Sequence, residues 1–123
     1  MNFLFLFLDG VGLGSDDPSI NPFAAAHMPN LQTLLGGQKL LAGSIPLSND
    51  RATLLALDPN LGVHGLPQSA SGQATLLTGK NVPAIIGEHY GPKPNPPIAE
   101  ILQAETLFST LNANGLQTAL LAA

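Results

Sequence analysis

The sequence predicts an α/β fold, a mostly parallel sheet with helices on both faces, present here in incomplete form. Three observations carry that expectation. The run Phe3-Leu-Phe-Leu-Phe-Leu8 is apolar throughout and closed by Asp9-Gly10, the pattern of a strand buried on both faces of a parallel sheet. Behind it, strand-like, loop-like and helix-like stretches alternate, as they do in parallel sheets with crossover helices. Finally, the strand-like run from Leu116 to Ala122 has no helix after it, whereas such a sheet is covered on both sides. Residues 1–123 are therefore expected to form the N-terminal portion of a single α/β domain.

The elements follow in order. Gly10 to Phe23 is rich in Gly, Ser, Asp, Asn and Pro and reads as a loop at the carboxyl end of the first strand. Pro29 to Leu35 starts with a proline suited to a first helical turn and stops at Gly36-Gly37, which predicts a short helix. Gln38 to Ala42 and Ala52 to Leu57 are candidate strands. Ser69 to Thr78 spaces Ala70, Ala74 and Leu77 four and three residues apart, and Gly79 can take the left-handed cap; this is a helix with Ser69 in its first turn. Lys80 to Pro97, full of Gly and Pro, reads as loop. Ile98 to Asn114 repeats apolar residues at helical spacing and closes on Gly115, which predicts one long helix.

Composition narrows the partners. Only 10% of the residues are charged, and 45% are hydrophobic, against about a quarter charged in a typical globular domain. This excess of apolar surface points to the remainder of its own polypeptide as a partner. Lys+Arg 4 against Asp+Glu 8 gives a net charge of -4, with no basic cluster to neutralise a run of phosphates. Neither nucleic acid nor an anionic membrane surface is an expected partner. There is no Cys, hence no disulfide framework and no thiolate metal site. The run Phe3–Leu8 is far shorter than the roughly 20 residues of a membrane span. It also lacks the basic flank and cleavage site of a signal peptide, so a cytoplasmic location is expected.

Two phosphate-loop motifs fail on spacing. Gly10-Val-Gly-Leu-Gly14 follows a strand, but the dinucleotide fingerprint needs a further glycine three residues after the second, where Ser15 stands. Asp9 would also repel a pyrophosphate. Gly72 to Lys80 ends in Gly-Lys, yet six residues separate the glycines and Asn81 follows the lysine, whereas a Walker loop has four and then Ser or Thr.

Two single residues have stronger positions. Asp9 emerges at the carboxyl end of the first strand, where open α/β sheets place ligands; an Asp there also simply makes a turn with Gly10. Ser69 opens a helix, where a hydroxyl commonly caps, but where unpaired N–H groups would also stabilise an anionic ligand. From position alone both readings stay open for each residue.

The stretch Gly65-Leu-Pro-Gln-Ser-Ala-Ser-Gly-Gln-Ala-Thr-Leu-Leu-Thr-Gly-Lys80, taken with Phe5-Leu-Phe-Leu-Asp-Gly10 and Ala26-His-Met-Pro-Asn-Leu31, resembles the N-terminal part of the alkaline phosphatase superfamily of metalloenzymes. The branch of cofactor-independent phosphoglycerate mutase and phosphopentomutase is the most similar, and the resemblance covers most of residues 3 to 80. It implies an alkaline-phosphatase-like fold and a metal-dependent phosphomutase or phosphohydrolase acting on a small phosphorylated substrate through a phosphoserine intermediate. On this resemblance Ser69 falls on the nucleophile, which is also a metal ligand, and Asp9 on the first metal ligand. Gln73 and Lys80 become candidate phosphate contacts, and two divalent ions, Mn or Zn, are the implied cofactors.

The sulfatase pattern has an Arg four residues after the nucleophile, where this chain has Gln73, although Lys80 after Leu-Thr-Gly is sulfatase-like. The nucleophile motif of the mutase branch is itself matched only loosely. Its further Asp and His ligands lie downstream in family members, so the chain alone is expected to be inactive. A phosphodiesterase or sulfatase of the same superfamily would use the same site, and a non-catalytic binding role is the reading from outside it. His27, His64 and His89 show no paired ligand spacing and read as loop or surface residues. Asp16, Asp17, Asp50 and Asp58 read as turn residues.

Overall fold

A computed structural model describes residues 2–121 of the protein. The chain divides into two compact units, residues 1–57 and 58–123.

In the first unit, residues 2–8 form neither helix nor strand. Their side chains lie open to solvent, Phe3 at 85% and Leu4 at 90% exposure. The expected mostly parallel sheet with helices on both faces is therefore not what forms: the only sheet among the described residues is a two-stranded antiparallel pair. Alternating apolar residues create a strand only when a neighbouring chain takes up the backbone hydrogen bonds. No described segment does this for Phe3–Leu8.

Polar side chains organise the rest of this unit. Ser19 donates from its hydroxyl and its backbone N–H to Asp17 Oδ1, at 2.6 and 2.9 Å, which holds the Asp17 carboxyl below its ordinary range. Asn21 is buried; its Oδ1 accepts from Phe23 N at the start of α1 (Pro22–Ala25), and its Nδ2 donates to the Ser15 carbonyl at 2.7 Å. Helix α2 (Pro29–Leu34) matches the sequence reading to within a residue, and Gly36 and Gly37 beyond it take φ of 64° and 92°, open to residues without a Cβ. Gln38 to Ala42 is not a strand; it leads into a 3-10 turn at Ala42–Ser44. Of the expected strand Ala52 to Leu57, only Thr53–Leu54 (β2) pairs, antiparallel with Leu47–Ser48 (β1). Asn49 closes the intervening turn by accepting from the N–H groups of Arg51 and Ala52. The buried apolar residues of the unit are Ala24, Leu35 and Leu41.

The second unit is helical. Helix α3 (Ser69–Thr78) has the predicted bounds and ends on Gly79 at φ 70°. The stretch Lys80 to Pro97 is not all loop: Asn81 caps a short helix α4 (Val82–Ile86), with proline in its first turn and Gly87 in the left-handed region after it. The long helix expected over Ile98 to Asn114 is two helices, α5 (Pro96–Ala104) and α6 (Leu107–Ala113). They part at Glu105-Thr106 because Thr106 forms a reciprocal capping box with Ser109, satisfying two N–H groups that an uninterrupted helix would have paired internally. Helix α3 packs on α4, α5 and α6, and α4 on α5. Ala70, Ala74, Val82 and Ile98 make the core, with Ile86, Tyr90, Ile101 and Leu102 against it. Residues 116–121 form no strand, and Ala122, the end of the last predicted strand, lies outside the described residues. Among the described residues no helix is long and apolar enough to cross a membrane.

Candidate functional site

Ser69 stands at the first helical position of α3. Gln68 before it is extended, with φ -126° and ψ 148°, and occupies the cap position without a side-chain cap hydrogen bond. Ser69 therefore stands one residue inside the cap position, which Gln68 takes. Ser69 is half-buried at the end of the helix where backbone N–H groups are unpaired within the helix. Gln73 follows it by four residues, so the two side chains lie on one face a turn apart.

The turn that carries Ser69 is clamped from the other side of the unit. Ser71 is fully buried, at 0% exposure. Its N–H donates to the Tyr90 carbonyl at 2.9 Å, and its Oγ accepts from Tyr90 N at 3.0 Å. This reciprocal pair ties residues 88–91 to the first turn of α3. Gly91 completes the contact: a Cβ there would lie 3.1 Å from Ser69 N and 3.2 Å from Gln68 Cβ, closer than ordinary packing. Glycine seats the arm there without that crowding.

Between this arm and the loop leading into α3 lies an open cavity of about 430 Å³, lined by His64, Leu66, Gln68, Glu88, His89, Tyr90 and the glycines Gly65 and Gly91. His89 Nε2 lies 3.2 Å from the Val63 carbonyl; since the carbonyl can only accept, Nε2 is the donor and the ring is held in place. The volume falls within the range of small-molecule sites, about 300–1,000 Å³.

Within the second unit the predicted site residues fall at the two ends of α3. Ser69 and Gln73 share the start of α3. Lys80 lies beyond the other end of the helix, and ten residues at about 1.5 Å each put roughly 15 Å between the two ends. It lines a second cavity of about 610 Å³ with Ile85, Ile86, Glu100 and Ile101. Asp9 belongs to the first unit, where it and Gly10, at φ 71°, make an exposed turn.

Among the described residues no three His, Cys, Asp or Glu side chains come together as a group that could hold a metal ion. A two-metal site needs several such donors, so the described residues do not fit it by themselves.

Sequence reasoning missed Ser71, His89, Tyr90 and Gly91. The spacing of Ser71, three residues before Ala74 on the buried face, was available as a signal. Nothing in the sequence pairs Tyr90 with Ser71, because that contact spans 19 residues. Comparison of the chain with protein-family models, with curated proteins and with solved structures finds no match.

Proposed function

We propose that the chain is the N-terminal portion of a metal-dependent phosphoryl-transfer enzyme, a phosphomutase or phosphohydrolase like those of the alkaline phosphatase superfamily, in which Ser69 is the nucleophile. The observation that carries this reading is the position of Ser69: the first helical residue of α3, in a turn fixed by Ser71 and Tyr90. An oxygen so placed faces the positive end of the helix, which favours an anionic ligand.

In the proposed reaction the Ser69 Oγ–P bond forms as the ester P–O bond on the opposite side breaks, and the hydroxyl proton leaves through solvent while the departing alcohol takes one up. Water or a second hydroxyl then reverses the step and frees the serine. Gln73, one turn along, is the proposed donor of an amide hydrogen to a phosphate oxygen. Lys80, at the far end of the helix, has no part in this step. The metals belong to the proposal only through donors outside the described residues, with Asp9 as one candidate, and no step is derived through them. A cytoplasmic location is part of the same proposal.

Two experiments test it. The 123-residue chain alone, incubated with an aryl phosphate and Mn or Zn, should show no chelator-sensitive turnover. The longest open reading frame that contains this sequence should show turnover and, by mass spectrometry of the quenched reaction, a phosphate on the peptide containing Ser69. Ser69→Ala should abolish both. Undiminished turnover in that variant would overturn the assignment.

A further inference from the structure

The cavity beside α3 has the wrong lining for a second anion. No Lys or Arg borders it, while Glu88 contributes a carboxylate. The rest of its polar lining, Gln68, His64, His89 and Tyr90, is of residue types that both donate and accept hydrogen bonds. The side chains of His64, Gln68 and Glu88 make no hydrogen bond to a described residue, so their capacity is turned to solvent and to whatever enters the cavity. A hydroxyl group is a donor and an acceptor at once and satisfies such a set. A carboxylate or a second phosphate would meet Glu88 as a like charge with no cation to offset it, and like-charge contacts are strongly disfavoured.

The cavity is also preformed. Its Glu88–Gly91 wall is fixed to α3 by the two hydrogen bonds between Ser71 and Tyr90 and by the close seat of Gly91 on Gln68. The opposite wall is tied in by His89 on the Val63 carbonyl. A ligand entering here therefore meets walls that need little ordering, which favours binding.

We propose that this cavity binds an uncharged, hydroxyl-bearing group and discriminates against the corresponding anion. Its use, as the seat for the part of a phosphate ester that is not transferred, rests on Ser69 being the nucleophile. Gln68 lines the cavity and precedes Ser69 in the chain, so a phosphate at the serine and a hydroxylated leaving group in the cavity are joined over one residue of backbone.

The test is a titration of the isotopically labelled 123-residue chain, followed by amide NMR. The probes are erythritol and erythronate, the same carbon skeleton with one terminal CH2OH oxidised to carboxylate. Erythritol should shift the amides of Gly65, Gln68, His89 and Gly91 saturably, with an affinity about tenfold above that of erythronate, and Glu88→Gln should bring the two within about threefold by removing the like charge. Glu88 is exposed, and surface substitutions of this kind leave folds intact. Gln68→Ala, also at an exposed position, should weaken erythritol in the same titration. Ser69 does not line the cavity, so Ser69→Ala should leave the erythritol titration unchanged, and this result stands or falls separately from the nucleophile assignment. Erythronate binding as tightly as erythritol to the unsubstituted chain, or no saturable shift at these amides, would overturn the proposal.

Discussion

The two units spend their apolar residues differently. In residues 58–121, Val82 and Ile98 are wholly buried and three helices close around them. In residues 2–57, Phe3, Leu4 and Leu6 are at least three-quarters exposed, and order comes from Asp17, Asn21 and Asn49 bonding to nearby backbone. The difference lies in where each secondary structure finds its hydrogen bonds. A helix satisfies its backbone within its own sequence, so an apolar stripe can dock at once. A strand finds its partners only on another segment, and an apolar run without one stays open.

The largest effect should fall on the helical core. Ile98→Ala removes most of a side chain from a site with no solvent access and should cost about 2–5 kcal/mol. Leu6→Ala, at 75% exposure, should change stability by less than about 0.5 kcal/mol. Urea unfolding followed by circular dichroism checks both. Equal losses from the two substitutions would show that Phe3–Leu8 is packed after all and would erase the contrast between the units.

A middle effect should follow from Thr106→Ala, which removes the capping box that starts α6 and should cost about 1 kcal/mol. Faster amide exchange at Ser109, with α5 unchanged, would locate the loss. Exchange rates in both helices rising together would mean that α5 and α6 unfold as one element, as the unbroken spacing from Ile98 to Asn114 had suggested.

That spacing shows what was legible. Helices α2 and α3 could be read because their signals are local: a proline or a polar residue at the start, glycine at the stop, apolar residues three and four apart. The start of α6 was local too, in Thr106 and Ser109, but apolar periodicity on both sides masked it. Helix α4 was hidden by Pro83 and by the glycines and prolines that follow it, although Asn81 and Gly87 mark its two ends. The parallel sheet was misread from apolar runs such as Phe3–Leu8, since pairing is not encoded in a single run. At the site, Ser69 and Gln73 share a helix and could be placed together. The arm carrying His89 to Gly91 could not, because Ser71 and Tyr90 meet through a contact with no periodic trace.

The smallest expected effect tests the polar side of the contrast. The hydroxyl of Ser19 is the main cause, and its backbone N–H the second, of the lowered Asp17 pKa; both stabilise the ionised carboxylate. A carboxyl whose pKa is depressed on folding contributes stability that is fully present above its ordinary value of 3.8 and is lost as pH falls through the folded value. The turn should therefore loosen only in acid, and neutral-pH unfolding should not register it. Ser19→Ala removes the hydroxyl donor and keeps the N–H, so the Asp17 titration, followed by NMR of its side-chain carboxyl carbon, should move upward without reaching 3.8. A titration unmoved by Ser19→Ala would assign the shift to the backbone amide alone. The turn at Asp17 would then be held by main-chain geometry, and the side-chain contribution at this position would be removed from the account of how residues 2–57 are ordered.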